Sequence, residues 1–116
     1  MKYLAILLCA AAPALAGEAV VVDAAATAQG DTWRFDVSVR HADEGWDHYA
    51  GAWAVELEDG TVVGTRELLH PHVDEQPFTR SLGGVMVPEG TATVYLRARD
   101  TVHGWSGGRL AVPLER

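Results

Sequence analysis

Two histidines separated by one proline are the most specific chemical feature of this sequence. In His70-Pro71-His72 the proline fixes its own backbone and biases His70 toward an extended conformation. Residues i and i+2 of an extended segment face the same side, so the two imidazoles are expected to emerge side by side as a chelating pair. The pair predicts a metal site. Its alternative is a rigid turn in which both rings pack and hydrogen-bond without a metal.

Two further histidines, His48 and His103, are predicted to complete the ligand set from neighbouring loops. His41 is interpreted instead as a solvated strand end. Three carboxylates near the same loops are expected to add an oxygen ligand or to orient an imidazole from behind: Asp47, Glu75 and Asp100.

The chain offers nitrogen and oxygen ligands but almost no sulfur. Cys9 is the only cysteine, and it lies in the first sixteen residues. The remaining residues therefore have no disulfide, no thiolate nucleophile and no cysteine-ligated iron or zinc. Imidazole with carboxylate suits Zn(II) or Cu(II), and Ni(II) or Fe(II) less well.

Aromatic and charged side chains flank the predicted site. Trp46, Tyr49 and Trp105 stand in the same loops as the histidines, where aromatic side chains dock a protein or glycan, or cap the end of a core. Capping is the commoner role. Arg80 is expected either to hold Glu75 beside the site or to form a weak surface ion pair.

The elements that must position these residues are β-strands. In Trp33 to Arg40 apolar and polar residues alternate, and the same period of two recurs at Trp53 to Glu58 and at Val94 to Arg99. Asp59-Gly60 and the other Gly-rich reversals separate the runs as turns. The pattern predicts seven antiparallel strands at 18–28, 32–40, 51–58, 61–69, 77–87, 91–99 and 109–114. They favour a β-sandwich of immunoglobulin or fibronectin-III type, with a small β-barrel as the alternative.

This strand order predicts where the chemistry lies. Successive connections alternate between the two ends of such a sandwich. The connections after the second, fourth and sixth strands therefore share one end, and they carry all five histidines. Functional residues on loops at one end of a rigid scaffold are the usual arrangement for this architecture.

The first sixteen residues read as a secretory signal peptide. Lys2 precedes an apolar stretch from Leu4 to Leu15, and Ala14-Leu15-Ala16 is a small-x-small cleavage site. Residues 17–116 then form one domain, and loss of Lys2 takes the formal charge from −7 to −8. An acidic chain repels phosphate backbones, so nucleic acid is not an expected partner. We expect a periplasmic or secreted bacterial protein without a membrane span after cleavage.

Three segments resemble a family of small exported proteobacterial proteins that has no established activity. They are WDHYA at 46–50, RELLHPHVDEQPFTRS at 66–81 and DTVHG at 100–104. The resemblance covers most of residues 17–116. It implies an exported single-domain protein and supplies no catalytic residues.

These observations favour an exported protein that binds Cu(II) or Zn(II) through loop histidines. Binding or delivery is favoured over catalysis, because no nucleophile or acid–base pair is identifiable. A first alternative is a metal-free periplasmic module that docks a protein or glycan through its aromatic loops. A second is a small redox metalloenzyme with an open metal position.

Overall fold

Eight β-strands run through the computed structural model, which describes residues 17–115. Seven of them coincide with the predicted strands to within two residues at each end. The eighth, β7, is a two-residue strand inside the sixth predicted connection. The predicted signal peptide over residues 1–16 lies outside the described residues. In order, the strands are β1 Val20–Gln29, β2 Thr32–Arg40, β3 Ala50–Glu56, β4 Val62–Glu67, β5 Phe78–Val85, β6 Thr93–Asp100, β7 Gly104–Trp105 and β8 Leu110–Pro113.

The strands form two antiparallel sheets. One has the order β1-β2-β5, and the other has the order β4-β3-β6-β7, with β8 also paired to β6. The chain crosses between the sheets after β2, between β4 and β5, and again after β5. Two separate sheets confirm the predicted sandwich, and the small closed barrel was the wrong alternative. Because β4 pairs with β3, it lies in the second sheet, whereas its counterpart in constant-type immunoglobulin domains lies in the sheet of the first strand.

The core lies between the sheets and follows the period of two in the sequence. Trp33, Phe35, Val37 and Val39 alternate along β2 and are all buried. From the opposite sheet β3 is buried along its whole length, with Trp53 at its centre. Burying these large apolar side chains contributes roughly 1.5–3 kcal/mol each, so the sheets provide a rigid base for the loops.

The three loops that carry the histidines meet at one end of the sandwich, as the strand parity predicted. The backbone N–H of Thr101 donates to the carbonyl of Tyr49 at 3.0 Å, which joins the β6–β7 and β2–β3 loops. The backbone N–H of His72 donates to Asp43 at 2.7 Å, which joins the β4–β5 loop to them. At the other end, tight turns use Gly30 and Gly60 with positive φ, a conformation that glycine adopts without strain.

Candidate metal centre

Asp100, the last residue of β6, is one of two fully buried carboxylates among the described residues at this end. Its side chain is fully buried, and its Oδ1 accepts the backbone N–H of Val102 at 2.9 Å and that of His103 at 2.7 Å. Burial alone would raise the pKa of Asp100. The N–H donors of His103 and Val102, together with the His103 ring, outweigh it and hold this pKa below its ordinary value. Asp100 is therefore a buried, ionised oxygen donor fixed by its own turn.

His48 is directed at this carboxylate by the loop between β2 and β3. The loop closes on itself where Glu44 N–H donates to the His48 carbonyl at 2.8 Å and His48 N–H donates to the Gly45 carbonyl at 3.3 Å. Gly45 has a φ of +95°, which allows this close reversal. The His48 Nε2 atom then lies 3.0 Å from Asp100 Oδ1.

His41 approaches the same point from the end of β2. Its Nε2 lies 3.1 Å from His48 Nε2 and 2.9 Å from the carbonyl oxygen of Gly17. Its Nδ1 lies 2.6 Å from Asp43 Oδ1, and both side chains are buried. A carboxylate accepts only, so Nδ1 carries a proton toward Asp43. Nε2 faces both the Gly17 carbonyl oxygen, which also only accepts, and His48, so it has a lone pair for a cation only when the ring is neutral.

Asp43 holds three parts of this end together. Besides the His41 ring, its Oδ1 accepts the N–H of Ala50 at 3.0 Å, and its Oδ2 accepts the N–H of His72 at 2.7 Å. All its contacts come from the protein interior. This places Asp43 behind His41 in the way that carboxylates orient metal-binding imidazoles.

One nitrogen of His41, one of His48 and one oxygen of Asp100 lie within 4.8 Å of one another. Ligands bound to a tetrahedral ion at about 2.0–2.1 Å are about 3.3 Å from each other. The two measured edges, 3.1 Å between the nitrogens and 3.0 Å from His48 to Asp100, are close to that value. The three atoms are therefore close enough together to bind one ion.

His103 lies at the rim of this group. Its ring centroid is 5.2 Å from that of His48, and its Nδ1 is 3.1 Å from Asp100 Oδ1. The side chain is 41 % exposed. His103 therefore supports Asp100 through Nδ1 and keeps Nε2 available at the surface.

The His70-Pro71-His72 turn has the predicted closeness, with ring centroids 4.6 Å apart, but its nitrogens have other surroundings. Arg80 lies with one guanidinium nitrogen 2.8 Å from His72 Nε2, and the His72 ring stacks on Phe78 at 3.9 Å. His70 is exposed and its Nδ1 contacts the Pro71 carbonyl at 3.1 Å. Burial first, and then the Arg80 charge, lower the pKa of His72.

The other predicted residues are at the surface. Asp47 is exposed, and Glu75 is exposed with an oxygen 3.6 Å from Arg80. Trp46 is 69 % exposed and meets Tyr49 edge to face at 5.6 Å, while Trp105 is 40 % exposed beneath Arg99. These tryptophans project outward and do not cap the core.

Sequence reasoning missed the central roles of His41 and Asp43. His41 immediately follows the last residue of β2 and continues its series of buried alternate positions, so the interpretation of His41 as a solvated strand end was wrong. A His-x-Asp pair directly after a strand is a second recognisable cue, because both side chains can meet across a tight turn. The closeness of His41 Nδ1 and Asp43 Oδ1 shows that they do.

The comparisons with known proteins include a relative in sequence and a likeness in fold. No family model matches the chain. A protein of Halomicrobium mukohataei named "Putative lipoprotein" is 44 % identical over 99 residues, which are 84 % of this chain and 48 % of that protein. The chain thus spans about half the length of this curated relative. The proteobacterial resemblance remains a prediction.

A solved structure shares the fold at low sequence identity. The crystal structure of a hypothetical protein from Pyrococcus horikoshii OT3 has a TM-score of 0.54 and 17 % identity, covering 85 % of this chain and 90 % of that chain. The likeness supports the sandwich architecture alone. Within residues 17–115, no helix has the length and apolarity to cross a bilayer.

Proposed function

We propose that this chain is an exported protein that binds one divalent transition metal ion through His41, His48 and Asp100. The observation that carries the proposal is the 3.1 Å approach of the two Nε2 atoms, with the Asp100 oxygen beside them. Two imidazole nitrogens at this distance need either a proton or a cation between them. Asp43 holds a proton of His41 on Nδ1, so in the neutral ring the Nε2 lone pair is free to bind the ion.

The types of ligand atom limit which metal ions the site can bind. Two imidazoles and one carboxylate, without thiolate, are ligands of Zn(II) and Cu(II). The three donors come from the end of β2, the β2–β3 loop and the end of β6, so the two packed sheets fix their spacing. The centre lies in the loops at one end of the molecule, which suits binding and delivery of the ion.

Two observations support export. The relative from Halomicrobium mukohataei carries the name of a lipoprotein, and residues 1–16 have the composition of a secretory signal peptide. A periplasmic or secreted location follows if the leader is cleaved near Ala16. Export would place residues 17–116 outside the cytoplasm. A site made of nitrogen and oxygen ligands, without cysteine, would there be exposed to the metal ions of that compartment.

The test measures metal content and affinity in the exported protein. The full chain is expressed with its own leader and without a tag, and the product is assayed for metal by mass spectrometry. The metal-depleted protein is then titrated with Zn(II) and Cu(II) by calorimetry. We expect about one ion per chain. His41→Gln and His48→Gln should each weaken binding by at least about tenfold, since each removes a nitrogen ligand.

His70→Gln is the matched control, because His70 is an exposed histidine outside the group. It should bind metal as the wild type does, with an unchanged circular dichroism spectrum. If the protein takes up neither ion, or if His70→Gln loses as much affinity as His48→Gln, the proposed site is wrong.

A second candidate function is docking of a periplasmic partner through the same end. Large apolar side chains are exposed in all three loops there, with Trp46 at 69 %, Leu69 at 77 % and Val102 at 58 %. Exposed tryptophans are frequent anchors of protein interfaces. Under this function, Trp46→Ala should abolish partner retention in cross-linking of intact cells and leave metal affinity unchanged. Retention that survives Trp46→Ala would contradict it.

A further inference from the structure

Gly17, the first described residue, is exposed and lies beside the candidate metal centre. Ala19 is fully buried and Val20 pairs with Arg40, so the start of β1 is fixed against β2. One residue before Ala19, Glu18 accepts the backbone N–H of Gly107 at 3.4 Å. These contacts hold Gly17 next to the loops that carry the histidines.

Gly17 contacts two of the histidines at once. Its carbonyl oxygen is 2.9 Å from His41 Nε2. A Cβ placed on Gly17 would be 2.8 Å from Cε1 of His103, and its φ is +87°, which side-chain-bearing residues rarely adopt. The backbone of Gly17 therefore lies against both the His41 and His103 rings, and glycine is the residue that fits there.

The same glycine is the residue that the predicted cleavage would expose. Cutting after Ala16 converts the amide nitrogen of Gly17 into an α-amine. The nitrogen and carbonyl oxygen of one residue are about 2.7–3.6 Å apart, so the amine lies within a few ångströms of the oxygen that contacts His41. An amide nitrogen inside an uncut chain is a poor ligand, whereas an amine has a basic lone pair.

We propose that removal of the leader completes the centre, because the α-amine of Gly17 becomes a fourth ligand beside His41, His48 and Asp100, and that the completed site prefers Cu(II). The proposal rests on the proposed metal-binding function and goes beyond it. On binding, the ammonium form gives one proton to solvent and the nitrogen lone pair forms the bond to the ion. Nitrogen and carboxylate oxygen are ligand types that Cu(II) binds, and Cu(II) leads the divalent series in affinity.

The sequence provides a selective chemical test. Lys2 is the only lysine, so a chain that begins at Gly17 has a single primary amine, its α-amine. The exported protein is purified and its intact mass measured. It is then stripped of metal and acetylated at near-neutral pH with an amine-specific reagent, in the absence and in the presence of one equivalent of Cu(II). Cu(II) affinity is measured by competition with a chelator.

We expect the mass of residues 17–116, one acetyl group in the metal-free protein, and strong protection when Cu(II) is bound. Acetylation should weaken Cu(II) binding at least tenfold and remove one nitrogen from the electron paramagnetic resonance spectrum.

If the metal gives no protection and the acetylated protein binds equally well, the amine is not a ligand, while the three-residue site stands. If His48→Gln and the wild type both fail to bind Cu(II), both proposals fall. A mature chain that starts elsewhere than Gly17 also overturns this one.

A matched pair of insertions gives an independent readout. One extra glycine directly before Gly17 keeps the chain from Gly17 onward and moves the amine by about 3.5 Å. The control adds one glycine in the Asp59-Gly60 turn, at the opposite end of the sandwich. We expect at least tenfold weaker Cu(II) binding in the first variant alone. Equal affinities in the two variants, both folded by circular dichroism, would contradict the proposal.

Discussion

The Nε2 atoms of His41 and His48 lie 3.1 Å apart, and a buried carboxylate contacts each ring. Asp43 lies behind His41 and contacts its other nitrogen, whereas Asp100 lies beside the same nitrogen of His48 that faces His41. The two aspartates therefore have different roles. Asp43 fixes a tautomer and an orientation, and Asp100 adds a donor atom to the space that the nitrogens share.

The role of Asp43 can be tested by Asp43→Asn. The amide cannot accept from the His41 ring, the Ala50 N–H and the His72 N–H together, so we expect a loss of about 1–3 kcal/mol in the free energy of unfolding. Metal affinity should fall about 10–100-fold, because the His41 ring loses its fixed tautomer. Asp47→Asn, an exposed substitution in the same loop, is the control and should change neither quantity. Unchanged affinity in Asp43→Asn would show that its carboxylate is only structural.

Metal addition and removal should change thermal stability in a way that depends on the same histidines. A ligand that binds only the folded state at 100 times its dissociation constant adds about 2.7 kcal/mol. For a domain of about 100 residues this corresponds to a rise of about 10–20 °C in Tm. Calorimetric scans with Zn(II), and again after chelation, should show the rise and its reversal. The double variant His41→Gln and His48→Gln should show neither, whereas His70→Gln should behave as the wild type.

Stability should decline in mildly acidic solution partly because of His72. Burial first, and then the Arg80 charge, lower the pKa of His72 below its ordinary value of 6.5, so the unfolded chain binds a proton that the folded chain resists. The free energy of unfolding is therefore expected to fall as the pH drops below 6.5. Urea unfolding curves from pH 7.5 to 5 measure it. His72→Gln should show a shallower decline.

The matched comparison for that experiment is His70→Gln. Its exposed ring contributes to the pKa of His72 only after burial and Arg80, so most of the decline should persist in this variant. A pH dependence that is identical in wild type and His72→Gln would show that other groups carry it.

The sequence predicts the strands better than it predicts the site, for a physical reason. Alternation along Trp33 to Arg40 reports which face is buried, and one face is indeed buried at every second residue. Strand parity also brings the histidine loops to one end. The pairing of individual rings depends instead on loop reversals, such as the one at Gly45, that leave no periodic trace.

The histidine pair shows the same limit in more detail. Local spacing correctly brings His70 and His72 within 4.6 Å, because the extended backbone decides it. The group that faces His72 Nε2 comes from β5. It is the guanidinium of Arg80, which lies eight residues further along the chain. Local spacing gives no information on this contact. The sequence therefore favours His70 and His72 as metal ligands over His41, because His41 meets His48 only once the loop between them has folded.

Asp100 is the residue at which structural and metal-binding roles can be separated by two substitutions. Asp100→Asn keeps an oxygen that can accept the N–H groups of Val102 and His103, so the turn after β6 should persist. It removes the negative charge, and we expect metal affinity to fall at least about tenfold with little loss of stability. Asp100→Ala removes both acceptors and should also cost about 1–3 kcal/mol in the free energy of unfolding. Chemical unfolding and calorimetric titration of the two variants measure the two effects separately. Wild-type affinity in Asp100→Asn would remove this carboxylate from the ligand set, and a fully stable Asp100→Ala would show that the turn does not need it.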